Sequence, residues 1–217
     1  MNSDFLYLLP VLLLSVIVHE VAHAWVALRE GDDTAHKLGR ITLNPISHLD
    51  LMGSVIVPLI LYYAGGLIFG WTKPVPVNPR NYRTPRASDI KVSLAGIVSN
   101  LLLGVLFTVL YVAFGKLQVG LDGSALVGGL LRMCYFGVFI NLILALFNLI
   151  PIPPLDGSHV LFHALPRNLA IQYQRAGRFG ILVLMGLMFL VPSFFGVVFA
   201  PVFAIMNRWE ALVYLWI

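Results

Sequence analysis

Long apolar stretches alternate along the chain with short polar segments that are rich in proline or in basic residues. A helix needs roughly 20 apolar residues to cross a hydrocarbon core about 30 Å thick. Five stretches are candidates for such helices, and the last could hold two passes with a break near Pro192: 5–28, 51–69, 92–114, 125–150 and 179–217. We therefore predict an all-α integral membrane protein with about five to six transmembrane helices.

The stretch 51–69 is a poor continuous helix because glycine and proline interrupt it. Eleven of the 14 lysine and arginine residues fall in the polar segments 29–40, 71–91 and 167–178. The positive-inside rule places all three segments on the cytoplasmic side. This orientation requires 51–69 to enter and leave on one side, so we predict a re-entrant element whose broken backbone is buried in protein.

Composition indicates the same class of protein. Of the 217 residues, 59% are apolar and 11% are charged, whereas soluble domains average about 45–50% apolar and about 25% charged residues. This balance excludes a disordered tail, a disulfide scaffold and a nucleic-acid binder, whose affinity depends on dense lysine and arginine. The single Cys134 is predicted to be a buried apolar residue. Residues 1–217 are predicted to form one polytopic membrane domain.

The first apolar stretch contains His19-Glu20-Val21-Ala22-His23. Positions i and i+4 share one face of a helix, so both imidazoles can reach one metal ion. Glu20 lies one position further and can approach a water molecule on that metal. An ionisable residue inside a span costs roughly 2.5–3.5 kcal/mol and usually faces the bundle interior. These residues predict a metal site within the membrane.

A second polar motif follows the stretch 125–150, where Asn148 and three prolines precede Asp156-Gly157. Two histidines leave a catalytic zinc without its third protein ligand, and Asp156 is a candidate for that ligand. Alternatively, its carboxylate caps the helix that follows, which is a common role of aspartate. Taken alone, the motif favours the cap.

The two motifs together resemble the site-2 protease family of intramembrane zinc metalloproteases. The resemblance rests on His19-Glu20-x-x-His23, on Asn148-x-x-Pro151-x-Pro153-x-Leu155-Asp156-Gly157, and on Leu94-Ala95-Gly96 with Asn100 as a middle core span. Only ten residues separate the third and fourth stretches, so the chain is similar to the compact prokaryotic type without a PDZ insertion. Ile97 departs from the proline that is usual after Gly96 in the family. His159 lies near a position that is commonly basic.

This resemblance implies a three-helix catalytic core that hydrolyses a peptide bond within or near a transmembrane segment. One Zn²⁺ per chain would be held by His19, His23 and Asp156, with a fourth position for water and Glu20 as general base. Asn148 would bind substrate backbone or an oxyanion, or else form a hydrogen bond between helices. Histidine and carboxylate ligands also suit iron or cobalt.

The resemblance also implies a transmembrane protein or peptide as substrate, the lipid bilayer as surroundings and no nucleic-acid partner. The expected location is a prokaryotic cell membrane, crossed several times, with the active site toward the cytoplasm. An extended edge at 40–43 or 75–78 is expected to hold unwound substrate. Glu30 is expected to be solvated, and Asn141 to form hydrogen bonds between helices.

Two other classes of function use the same residues. A metal transporter or sensor could use the histidines and Asp156 as a translocation site, although the chain lacks the paired repeats that are typical of transporters. An inactive module could instead grip membrane helices, although an intact Glu20 argues against it. Glu20→Gln separates a protease, which would lose cleavage, from a transporter, which would keep its flux.

Overall fold

The computed structural model describes residues 4–50, 73–120 and 124–217, together with the isolated residues 52, 56 and 60. Within these ranges the chain is helical and contains no β-strand, which confirms the predicted all-α class. The α-helices are α1 (Asp4–Arg29), α2 (Thr34–Lys37), α3 (Pro85–Gly120), α4 (Ala125–Leu149), α5 (Gly157–Ala164), α6 (Arg167–Ala176), α7 (Gly180–Leu190) and α8 (Pro192–Val213). Three short 3₁₀ turns lie at Pro45–Ser47, Pro79–Asn81 and Gly177–Phe179.

Four helices in the described part of the chain are long and apolar enough to cross a membrane, which confirms a membrane protein. They are α1, most of α3, α4 and most of α8. The predicted break near Pro192 separates α7 from α8. The 11 residues of α7 extend only about 16 Å, so α8 alone qualifies as a span in 179–217. The stretch 51–69 lies outside the described residues, and its re-entrant course stays a prediction.

Helices α1, α3 and α4 pack together as a three-helix core, with α8 against α4. Their shared apolar centre contains Val11 of α1, Phe107 of α3, Val138 of α4 and Val202 of α8, all buried. Cys134 is buried in the same cluster, as predicted. Close packing matters here because it lets α3 bring its backbone against the two histidines of α1.

The polar segments that follow α1 are held by carboxylates. Asp32 is fully buried and accepts hydrogen bonds from Thr34, from the backbone N–H of Asn78 at 2.6 Å and from Asn81 Nδ2 at 2.9 Å. Burial raises the pKa of Asp32, but these hydrogen bonds lower it by more, so the group is ionised at neutral pH. Asp32 thereby fixes the segment 73–81 against the end of α1.

Glu30 is not simply solvated, contrary to the sequence expectation. It accepts hydrogen bonds from Ser88 Oγ at 2.6 Å and from Lys91 Nζ at 2.8 Å, and these two donors lower its pKa. Both partners lie on α3, so the carboxylate joins the end of α1 to the beginning of α3. The sequence could not show this because its partners lie about 60 positions away.

Candidate metal centre

Three potential ligand atoms meet where α1 faces the beginning of α5. Nε2 of His19 and Nε2 of His23 lie 3.0 Å apart. Oδ2 of Asp156 lies 3.2 Å from the first and 3.4 Å from the second. The structure therefore brings the two distant motifs into one group. Among the described residues, the spacing of these three ligand atoms is suited to a metal ion.

The separations among these atoms fit a zinc ion. Zinc binds nitrogen and oxygen ligands tetrahedrally at about 2.0–2.2 Å, which places neighbouring ligand atoms about 3.3 Å apart. Oδ2 of Asp156 is buried, and no hydrogen-bond partner lies beside it in the described chain. This oxygen therefore faces the two imidazole nitrogens without a hydrogen-bond donor of its own.

The outer nitrogens of both imidazoles bond to α3. Nδ1 of His23 donates to the carbonyl oxygen of Val92 at 2.7 Å, and Nδ1 of His19 lies 2.5 Å from Oδ1 of Asn100. A carbonyl can only accept, so Nδ1 of His23 carries the proton and its Nε2 keeps a lone pair. The outer hydrogen bond thus fixes the orientation of the ring and leaves Nε2 as a possible ligand atom.

A glycine of α3 makes room for the two rings. A side chain at Gly96 would overlap with Cε1 of His19 and would lie 2.5 Å from Nε2 of His23. Val92, Gly96 and Asn100 follow one another at intervals of four residues, so they share one face of α3. That spacing was a signal in the sequence, but only the packing shows that this face meets the histidines.

Gly96→Ala is therefore expected to weaken zinc binding by about 5- to 150-fold, since overpacking a tight contact costs about 1–3 kcal/mol. The measurement is zinc affinity by competition with a chelator. Gly104→Ala is the matched control because a side chain there would meet only Cβ of Asn141, at 3.9 Å. Unchanged affinity in Gly96→Ala would contradict the close approach of α3.

Asp156 occupies the position before α5, but its carboxylate makes no capping hydrogen bond. The alternative role as a helix cap is therefore wrong, because the side chain turns toward the histidines instead. A side chain at Gly157 would overlap with the carbonyl oxygen of Leu149, so glycine lets α5 fold back closely against the end of α4. This close turn carries Asp156 to the metal centre.

A second contact ties α5 to α3. Oδ2 of Asp89 lies 2.7 Å from Nε2 of His163 and 3.1 Å from Nδ1 of His159. The two histidines are one helical turn apart on α5, so one carboxylate holds both. The sequence could not show this contact, because Asp89 lies 70 and 74 positions before the two histidines.

Glu20 and Asn148 have other partners in the structure. Oε2 of Glu20 accepts a hydrogen bond from the backbone N–H of Val75 at 2.9 Å, which places the non-helical segment 73–78 beside Glu20. Nδ2 of Asn148 donates to the carbonyl of Leu144 in its own helix at 3.0 Å. Its role toward substrate stays a prediction, as does the edge at 75–78.

His48 lies apart from this group. It is buried, and its Nε2 donates to the carbonyl oxygen of Thr42 at 2.8 Å. This bond closes the loop that follows α2, while the backbone carbonyl of His48 accepts from Lys73. The observed contacts therefore give His48 a role in holding two polar segments together.

Comparison with known proteins supports this centre. A model of peptidase family M50 matches residues 116–191. The chain is 40% identical over 189 residues to YwhC of Bacillus subtilis, named as a zinc metalloprotease, covering 86% of this chain and 81% of that protein. It is 34% identical over 166 residues to Rip2 of Mycolicibacterium smegmatis, likewise named, covering 76% and 58% of the two chains. No solved structure matches.

Proposed function

Because this chain belongs to peptidase family M50 and its relatives are named zinc metalloproteases, we propose that it hydrolyses a peptide bond within or near a transmembrane segment. The depth of the centre carries this proposal. His19 precedes the end of α1 at Arg29 by ten residues, which is about 15 Å along a helix and about half of a hydrocarbon core. A scissile bond that reaches this centre therefore lies at membrane depth.

His19, His23 and Asp156 would hold the zinc ion. When bound there, zinc polarises the scissile carbonyl and lowers the pKa of a water molecule. Glu20 takes a proton from the attacking water and returns it to the departing amine. The hydrogen bond from Val75 to Oε2 orients this carboxylate and leaves Oε1 as the oxygen for the proton.

The proposed substrate is a membrane protein or a peptide with a transmembrane segment. Such a segment must unwind before cleavage because a helix hides its carbonyls in its own hydrogen bonds. The segment 73–78 is not helical and lies beside Glu20. The N–H groups of Val75 and Asn78 already bond to Glu20 and Asp32, so an unwound strand would have to pair with the carbonyl oxygens of this segment. Asn148, at the end of α4, is proposed to hold substrate backbone if its amide exchanges the Leu144 carbonyl for that of the substrate.

We further propose that the protein crosses a prokaryotic cell membrane several times, with its centre nearer the cytoplasmic side. The basic segments 29–40, 71–91 and 167–178 support this orientation through the positive-inside rule. His23 lies only about 9 Å along α1 from Arg29, at the end of the helix where the first of these segments begins.

The test is cleavage in proteoliposomes. The purified protein is reconstituted with a panel of single-span membrane peptides, and products are located by mass spectrometry. We expect cuts inside or at the border of the apolar segment, and we expect a zinc chelator to prevent them. Cleavage restricted to soluble, unstructured peptides would overturn the intramembrane proposal while leaving a zinc peptidase.

A further inference from the structure

A chain of buried amides leads away from the metal centre through the helix core. Asn100 of α3 and Asn141 of α4 are both fully buried, and Nδ2 of Asn100 donates to Oδ1 of Asn141 at 2.8 Å. Nδ2 of Asn141 lies 2.8 Å from Ser15 Oγ of α1 and 2.8 Å from the carbonyl oxygen of Gly137. These contacts confirm that Asn141 bonds between helices.

The donors and acceptors of this series of hydrogen bonds can be arranged in only one way, because one end is a backbone carbonyl. The oxygen of Gly137 can only accept, so Asn141 must turn its amide nitrogen toward it. The Oδ1 atom of Asn141 then faces Asn100, which must donate a hydrogen bond from its Nδ2. Oδ1 of Asn100 therefore faces His19 as an acceptor, and the imidazole must carry a proton on Nδ1 to donate to it.

We propose that Asn141 is a positioning residue for the metal centre, which acts through Asn100 to keep His19 in the tautomer whose Nε2 is free to bind metal. The hydrogen bonds that the described structure gives it reach Asn100, Ser15 and Gly137 and none of the three candidate ligands. Asn141 accepts from Nδ2 of Asn100 and thereby orients the amide so that its oxygen, and not its nitrogen, faces the imidazole. This inference rests on the proposed zinc peptidase and names a residue outside both sequence motifs.

This arrangement of donors and acceptors matters because the Asn100 amide could otherwise present either its oxygen or its nitrogen to His19. An asparagine amide presents an acceptor at one end and a donor at the other, and the two ends have nearly the same shape. With its nitrogen toward His19, Asn100 would select the tautomer that protonates Nε2. That proton would occupy the position of the metal. His23 needs no such second residue, since the Val92 carbonyl can only accept and selects the tautomer of His23 directly.

The experiment measures zinc affinity and the tautomer of His19 separately. Outer partners of metal ligands typically contribute about 10- to 100-fold to affinity, so we expect Asn141→Leu to weaken zinc binding about tenfold. In the metal-free protein, ¹⁵N shifts of labelled imidazoles should show His19 protonated on Nδ1 in the wild type. They should show a mixture of tautomers in Asn141→Leu. Loss of one signal in His19→Gln assigns the ring.

Two comparisons distinguish positioning from a general loss of packing. Val138→Ala removes buried volume from the same helix, and we expect it to lower thermal stability without changing zinc affinity or tautomer. In an Asn100→Leu background, adding Asn141→Leu should weaken zinc no further, because the effect passes through Asn100. Asn141→Ala serves if the leucine variant does not fold.

Equal zinc affinity and an unchanged His19 tautomer in a folded Asn141 variant would overturn the proposal. So would additive losses of affinity in the double variant, which would indicate independent packing effects. A wild-type protein that binds no zinc would instead refute the proposed function itself. These results are therefore distinguishable from one another.

Discussion

The Glu20→Gln variant is expected to cleave about 10²- to 10⁴-fold more slowly than the wild type, which is the range of general acid–base catalysis, while keeping its zinc. Glutamine has the same shape as glutamate but cannot take a proton from water. It can still accept the hydrogen bond from the backbone N–H of Val75, so the segment 73–78 should stay in place. The measurements are the cleavage rate and the zinc content of the same preparation.

Glu30→Gln is the matched control for this variant. Glu30 follows the same helix and bonds to Ser88 and Lys91, away from the metal centre. Glutamine can accept from Lys91 through its oxygen and donate to Ser88 Oγ through its nitrogen. We therefore expect cleavage within about twofold of the wild type, as is usual for changes outside key features. Cleavage that survives in Glu20→Gln would remove Glu20 as the base. Zinc flux that survives while cleavage is never seen would favour a transporter.

The Asp156→Ala variant is expected to bind zinc about 10²- to 10³-fold more weakly, because roughly 10–16 kcal/mol of zinc binding is shared among four ligands. The variant removes the ligand atom that lies within 3.4 Å of both imidazole nitrogens. The measurement is metal content per chain in detergent-purified protein. We expect about one zinc in the wild type and much less in the variant.

Asp33→Ala controls for loss of a carboxylate elsewhere. Asp33 is partly exposed at the position before α2, and its carboxylate pairs with Lys37 in the described contacts. Exposed pairs of this kind contribute little to stability, so this variant should keep its zinc. Full zinc content in Asp156→Ala would separate the two motifs and would contradict the metal centre described above.

Some elements were predictable from the sequence because they depend on neighbours along the chain. The spans α1, α3 and α4 follow from apolar length alone, and the pairing of His19 with His23 follows from helical spacing. The short α7 shows the limit of this reasoning. Its sequence is as apolar as a span, yet Pro192 ends it after 11 residues.

Contacts between distant residues were not predictable in the same way. The partner of Glu30, the shared carboxylate of Asp89 and the place of Asn100 beside His19 all join positions at least 58 residues apart. No local pattern encodes such pairs, because they depend on which helix faces meet. The role of Asp156 is the clearest case, since its position before α5 indicated a cap.

The sequence by itself determined the class of protein, the main spans and the pairing of His19 with His23 as candidate metal ligands, since hydropathy and helical spacing are local properties. Tertiary structure determined which polar side chains from distant parts of the sequence lie next to one another. It brought Asp156 to the histidines, placed Gly96 where only glycine fits, and aligned Asn141 with Asn100. The physical reason is that buried polar groups must find partners, and in a helix bundle the closest partners lie on other helices.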